Sequence, residues 1–478
     1  MSLKLILVSL ILVSFSLVAQ PISYFFGNLH AHTAFSDGNK DSASSGIARP
    51  DASFNYAKLS SDFDFLGISE HNHYSNNHNP GFKRPLYQIG LNMADAANQE
   101  GSFLALYGME YGVSSQYNGH VLIYGMNQLI GWENNVPDVS GNNYDLYNAK
   151  TDYDGLFQKV KSNPKAFCYL AHPDFSDYTS NGTYETALAN APYNADYDSV
   201  IVGMPLRSGL ANSTFTNYSD YSQGNYFNYY KKMLYQGYHL GIGYDHDNHY
   251  SNFGRSNGGR LVILANSLTR ANLYSAMKGM RFYGSDDSNA KISFELNNEM
   301  MGSITSGSVF PTLFIQHDDP DGELADTIKI WRGYKNSGGL WAEIISMSLQ
   351  QNLHMYTDVS IRSGREYYYF CEIRQADGQW IMTSPIWYKT LAPLGLGKKS
   401  IELNCSYFLN PVSKHLSVSL NNIEHYQLTI LNLSGEVVFK TTFYGNDFSM
   451  ELESFLSGIY LLKIESKTAS VTKKIILN

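Results

Sequence analysis

Cysteine is scarce: three in 478 residues, Cys168, Cys371 and Cys405, scattered too widely for a disulfide framework or a zinc finger. They read as small buried apolar side chains. Charge is sparse too, at 16% of residues, and a net charge of −9 provides no basic surface for phosphate, so no nucleic acid partner is expected. Long hydrophobic runs are missing beyond the N-terminus. The run at residues 5–18 follows Lys4, ends in Ala19-Gln20 and falls short of the roughly 20 apolar residues a spanning helix needs. It has the layout of a signal peptide over residues 1–19, with no cysteine at the cleavage point to carry a lipid. The mature chain is therefore expected to be exported, with no transmembrane segment. No Gly-x-Ser-x-Gly elbow is present, so a serine nucleophile of that type is not expected.

Histidine and carboxylate at the ends of strand-like runs are what the sequence does have. Residues 27–37 read GNLHAHTAFSD after the apolar run Tyr24-Phe25-Phe26. Side chains two apart in a strand point the same way, so His30 and His32 would project together. Further runs end in Ser69-Glu70-His71, Gly108-Met109-Glu110 and Ala171-His172, and a last one delivers Tyr244-Asp245-His246-Asp247-Asn248-His249; His120 precedes another. Helix-like segments alternate with these runs from residue 26 to about 287, which predicts an α/β domain, with ligands gathered on one face as in a (β/α) barrel. Nine residues form the candidate metal set: His30, His32, Asp37, His71, Glu110, His120, His172, Asp247 and His249. Imidazole mixed with carboxylate suits Zn, Mn or Fe, and nine ligands suit two or three divalent ions, with Glu110 able to bridge.

These motifs together resemble the PHP (polymerase and histidinol phosphatase) superfamily of metal-dependent hydrolases. The resemblance covers about residues 26–287, and the spelling DHDNHYSNFG, then GGRLVILANSLTRANLYSAM and RFYGSDD, is similar to the CehA/McbA-type branch. It implies a distorted (β/α)7 TIM-like barrel over residues 20–290. It also implies one ion on His30, His32, Glu110 and Asp247, a second on Glu110, His120 and His172, and a third on Asp37, His71 and His249. Three departures stand out. Glu70 occupies the place of the usual Asp, and Asp245 and His246 offer a second register for the final Asp-x-His; His73 competes with His71.

The reaction implied is hydrolysis of a small-molecule ester, a phosphoric mono- or diester first, by hydroxide bridging the ions. Glu110 and Asp247 would take part, Arg207, Arg255 and Arg260 are candidates to offset phosphate charge, and His246 or His73 to protonate the leaving group. Carbamate or carboxylic ester hydrolysis on the same metals is the alternative, and a surface-binding protein without catalysis is the third reading.

Beyond residue 287 the pattern becomes alternating strands between turns, which predicts a small all-β sandwich over residues 291–390. Its tryptophans, Trp331, Trp341, Trp380 and Trp387, are expected in packing. Residues 391–400 read as a linker. Residues 401–478 form a second small β sandwich whose motifs Leu409-Asn410-Pro411-Val412-Ser413, Leu433-Ser434-Gly435-Glu436-Val437, Leu456-Ser457-Gly458-Ile459-Tyr460 and Lys473-Lys474-Ile475-Ile476 resemble the type A C-terminal sorting domain of the type IX secretion system. That resemblance implies the secretion machinery as a partner and a destination in the medium or at the cell surface.

Overall fold

The computed structural model describes residues 22–477 apart from 74–81, 113–116, 134–136, 210–225, 256–257, 392–400, 404, 411–413, 434 and 467–468. The expected signal peptide and all but the first residue of the expected linker lie outside these. The chain divides into two compact units, Met1–Thr390 and Leu391–Asn478.

Nine strands build the first part of unit one. They are β1 (Ser23–Asn28), β2 (Phe65–His71), β3 (Leu104–Tyr111), β4 (His120–Tyr124), β5 (Phe167–Ala171), β6 (Ile201–Pro205), β7 (Gly241–Gly243), β8 (Arg260–Ala265) and β9 (Phe282–Ser285). Their order in the sheet is β9-β8-β1-β2-β3-β4-β5-β6-β7. The central strands are apolar on both faces, with Leu66, Ile68, Leu104, Leu122, Leu170 and Ile263 all buried. The sheet curls until β7 meets β9: a Cβ on Gly284 would fall 2.3 Å from the carbonyl oxygen of Gly243, so the two backbones approach closely only because Gly284 has no side chain.

The expected (β/α)7 TIM-like barrel is not what forms. Strand outweighs helix, 42% against 16%. Four of the eight ladders joining these nine strands are antiparallel: β9/β8, β8/β1, β3/β4 and β4/β5. β3 passes to β4 with no helix described between them. A helix-wrapped barrel needs a parallel strand and a crossover helix at each step.

The sheet does not stop at β9. Lys291–Leu296 (β10) and Thr312–Asp318 (β11) pair in a separate four-stranded antiparallel sheet, whereas Ala325–Tyr334 (β12), Glu366–Gln375 (β13) and Trp380–Thr383 (β14) extend the first one. β14 pairs antiparallel with β9. The expected sandwich at 291–390 is therefore continuous with the sheet that precedes it. Aromatic packing seams the two: Phe227, from helix Tyr226–Gln236, meets Trp331, Phe370 and Trp380 edge-on at 5.4, 6.1 and 5.8 Å.

Unit two is built from strands alone among its described residues. His415–Leu431 lies at its centre, paired with Cys405–Asn410, Val437–Glu451 and Gly458–Glu465, the last of which pairs with Ala469–Leu477. Leu416, Val418, Leu428, Ile430, Leu462, Ile464 and Ile475 make its own core.

Candidate metal centre

The centre begins where β1 ends. Asn28 is fully buried; its Oδ1 accepts from the backbone N–H of His30 (3.1 Å) and of His246 (3.0 Å), and its Nδ2 donates to the His30 carbonyl (2.8 Å) and to Asn248 Oδ1 (3.3 Å). Four bonds from one side chain thus lock the His30 segment to the segment carrying Asp247. His32 N–H adds a bond to the Asn248 carbonyl at 2.8 Å, and Ser69 N–H donates to the Ala31 carbonyl at 2.8 Å. On the other side, His71 and Glu110 are register partners on the parallel strands β2 and β3, so they present side by side.

Glu110 is the hub. Its Oε1 lies 3.3 Å from His30 Nε2, 2.7 Å from His120 Nδ1 and 3.2 Å from His172 Nε2. Its Oε2 lies 3.2 Å from both His32 Nε2 and His71 Nδ1. Asp247 Oδ1 approaches His30 Nε2 at 3.2 Å and His32 Nε2 at 3.1 Å. Asp37 spans the outer pair, 3.6 Å from His71 Nε2 and 3.3 Å from His249 Nε2. All nine candidates are therefore brought together.

The donor sets overlap more than the family pattern implies. His30, His32, Glu110 and Asp247 converge as one group, and His71, Glu110 and His120 as a second, with donor atoms in each within 4.8 Å of one another. His32, His71 and His249 form a third. His172 borders the second group, its Nε2 3.3 Å from His120 Nδ1.

The residues fit divalent ions. His30 Nε2, His71 Nδ1 and Glu110 Oε2 are buried without a hydrogen-bond partner, although facing ligand-type atoms stand about 3 Å off each of them. Such atoms converge on shared points instead of bonding one another, as ligands do. The charges agree. Burial alone would lower the His30 and His32 pKa values, but Asp247 and Glu110 override it, holding His30 well above its usual value and His32 up to about 10. Burial would raise Glu110 and Asp247; the surrounding histidines hold both well below the usual carboxylate range. Protons on His30 and His32 thus supply the positive charge that a divalent ion would replace. His71 is held low, chiefly by burial.

Side chains outside the nine complete the picture. Asp245 Oδ2 lies 3.2 Å from His30 Nδ1, behind the ring, whereas Asp247 and His249 face the cluster. Glu70 accepts from Thr33 N–H at 3.0 Å and from the hydroxyls of Thr33 and Ser36, fixing the turn that leads to Asp37. His172 and Asp247 both sit at positive φ, 30° and 50°, strain that is held where the ligands must point inward. The sequence reading missed Asn28 and the supporting role of Asp245. A buried Asn at a strand end, two residues before a ligand, was the available signal for the first.

Four candidates for catalysis have other employment. His246 is fully buried; burial foremost lowers its pKa to about 3, so the ring is neutral, and its Nε2–H is committed to the Gly259 carbonyl at 2.6 Å and not to a leaving group. Arg207 grips Asp286 with Nε at 2.7 Å and Nη2 at 3.0 Å. Arg255 stacks on Tyr56 at 3.9 Å and donates to Ser60 Oγ and the Tyr56 carbonyl, while Arg260 bonds the carbonyls of Asp62, Gly259 and Gly254. His73 borders the cluster, its ring 5.6 Å from that of His71 and 5.5 Å from Trp132.

Comparison with known proteins places the C-terminal part. Residues 407–478 match the family model described as a secretion system C-terminal sorting domain. The protein is exported by the type IX system to the cell surface or extracellular space, and this domain engages the secretion machinery. Among the described residues no helix is long and apolar enough to cross a membrane. No curated protein sequence matches the chain. Among solved structures it is similar to the FN1–FN3 domains of chicken CNTN1 at 13% identity over 36% of this chain, with a TM-score of 0.14. The match spans 61% of that chain, under two thirds of its length. It is also similar to the human OSCAR ligand-binding domain at 11% identity, covering 39% of this chain and 97% of that one, with a TM-score of 0.15.

Proposed function

We propose that this exported protein is a metal-dependent hydrolase of ester bonds, with phosphoric esters as the first substrate class. One observation carries the reading: Glu110 touches His30, His32, His71, His120 and His172 through its two oxygens. His30, His32, Glu110 and Asp247 would hold one ion, and Glu110 with His120 and His172 a second. Asp37, His71 and His249 would hold a third. Zn, Mn or Fe suits this mixture of nitrogen and oxygen. Such ions, when bound, acidify water and offset charge on the scissile group. The chain's own contribution is positioning. Asn28 and Asn248 hold the two ligand segments in register, Asp245 orients His30, and Glu70 braces the turn before Asp37. The motif resemblance to the PHP superfamily supports the same chemistry.

A second reading, carbamate or carboxylic ester hydrolysis on the same metals, is favoured by the arginines. Arg207, Arg255 and Arg260 are engaged with Asp286, with Tyr56 and with backbone carbonyls, so matching of phosphate charge rests on the ions.

The test pairs metal analysis with hydrolysis of p-nitrophenyl phosphate, bis-p-nitrophenyl phosphate and p-nitrophenyl acetate on one preparation, with Glu110→Ala as control. Two or three ions and chelator-sensitive phosphoester turnover are expected. Acetate turnover alone selects the second reading. Fewer than two ions at saturating metal would overturn both.

A further inference from the structure

The chain carries a net charge of −9, so a place where cations outnumber carboxylates stands out. Strands β12, β13 and β14 build one. Lys329 on β12 is the register partner of Glu372 on β13, and Arg374, two residues further along β13, is the partner of Trp380 on β14. Register partners and residues two apart project from the same face of a sheet, so these four share one face. Helix Tyr226–Gln236 adds Lys231, one turn after Phe227, whose ring packs on Trp331 and Trp380.

Glu372 is the carboxylate these cations share. Its Oε1 lies 3.5 Å from Lys329 Nζ and 3.6 Å from Arg374 Nε, and its Oε2 accepts from Trp331 Nε1 at 2.9 Å. Burial lowers the Lys231 ammonium pKa, and Glu372 is the charge that counters it. Asp286 also acts on Arg374, but both its oxygens are gripped by Arg207. Three cations on one carboxylate leave an excess of two positive charges.

The cations are held in place. The Arg374 guanidinium lies 4.4 Å from the centre of the Trp380 ring, and Lys231 Nζ lies 4.3 Å from that of Phe227 and 5.3 Å from that of Trp331. The Glu372 side chain is 7% exposed, against 26% for Lys329 and 32% for Arg374, so the carboxylate is shut in and the cations open toward solvent. Arg374 turns Nε to Glu372, and among the described residues its two terminal amino groups make no hydrogen bond. A guanidinium free at that end can still bind an oxyanion. Trp380 Nε1, another donor, is buried with no hydrogen-bond partner.

The group stands at the metal-centre end of the sheet. β9 and β1 are both antiparallel to β8, so β9 ends, with Asp286 following, on the side where β1 delivers His30. Trp380 N–H donates to Asp286 Oδ2 at 2.9 Å, and the Arg207 guanidinium lies 5.4 Å from the Trp380 ring. The Arg207 carbonyl in turn accepts from Asp245 N–H at 3.1 Å. We propose that Lys231, Lys329 and Arg374 form a binding site, separate from the metal centre, for an oxyanion of two or more charges. A phosphate, a sulfate or a set of carboxylates on a molecule met outside the cell offsets the excess charge and supplies the acceptors the donors lack.

Isothermal titration calorimetry on the chelator-treated mature chain reads this binding without metal to take up the anion. Pyrophosphate, sulfate and citrate are titrated separately at low ionic strength, and the tightest binder identifies the oxyanion. A Kd of about 0.1–1 mM is expected for at least one of them. Raising sodium chloride to about 0.3 M should weaken it at least about threefold. Lys329→Gln with Arg374→Gln should weaken it about tenfold or more. If that variant does not fold, Arg374→Gln alone should weaken it at least about threefold. Glu372→Gln removes the competing charge and keeps the cations, so it should bind at least as tightly as the parent. No binding tighter than about 10 mM in the parent overturns the site. So does parent-like binding in the Arg374 variants, which would place the anion elsewhere, or lost binding in Glu372→Gln, which would contradict the charge argument. None of these outcomes depends on hydrolysis.

Discussion

Asp245 presents Oδ2 to His30 Nδ1 at 3.2 Å, on the edge of the imidazole opposite Nε2, which faces Glu110 and Asp247. Both residues are fully buried. A carboxylate behind a metal-ligating histidine fixes the ring's tautomer and aim. Asp245→Asn keeps the shape and removes the charge, so metal affinity should fall about 10–100-fold with the fold intact. Competition against a chromophoric chelator measures this; an unchanged affinity would mean that packing alone holds the ring.

Glu110→Gln tests the hub. The variant keeps one carbonyl oxygen, so it can no longer serve the His30/His32 side and the His71/His120 side at once. At least one ion should be lost per chain, and turnover of any active ester should fall by at least about 100-fold. Elemental analysis and turnover on the same sample check both. Full metal retention would remove Glu110 from the ligand set.

Stability should depend on pH through His239, far from the metal question. Its Nδ1 lies 2.9 Å from Asp198 Oδ2 and its Nε2 3.6 Å from Glu366 Oε1. Burial alone would lower its pKa, but these carboxylates push it up to about 9. A histidine raised in the folded state stabilises fully below its ordinary value of about 6.5, and that contribution fades as pH rises through about 9. Urea unfolding should therefore lose about 1–3 kcal/mol between pH 6.5 and 9.5. His239→Gln should flatten this slope, and a parent chain with no slope would refute the assignment.

The cluster of histidines and carboxylates was legible in the sequence because most of its members follow or begin a short apolar run, and such runs mark strand ends whichever way the strands pair. The pairing itself was not. β4, His-Val-Leu-Ile-Tyr, is buried on both faces, and a strand of that kind reads the same in a parallel or an antiparallel ladder. Hence the alternating pattern suggested a barrel, while β4 and β8 run against their neighbours. The arginines were opaque for a different reason. Arg207 finds Asp286, 79 residues on, and nothing local to Arg207 announces that pairing. The continuity of β9 with β14 was hidden likewise, since the turn-rich stretch after residue 287 looks like a domain boundary.

Glu70 shows how a departure from a family spelling acquires a physical role. The usual residue there is one methylene shorter, and here the longer side chain reaches the Thr33 N–H and the hydroxyls of Thr33 and Ser36 from inside a fully buried site. Asp37 follows this turn directly, so the brace also sets how Asp37 meets His71 and His249. Glu70→Asp would draw the oxygens back from all three donors, and Glu70→Gln would set an NH₂ group against one of them. Each change should cost about 1–3 kcal/mol, the range for leaving buried donors unpaired. The loss in metal should be selective: the ion assigned to Asp37, His71 and His249 weakens, while the one on His30, His32, Glu110 and Asp247 stays. Urea unfolding combined with stepwise metal titration separates these effects. Parent-like stability in Glu70→Asp would mean that the turn closes without the extra methylene, and that Asp37 is positioned by some other contact.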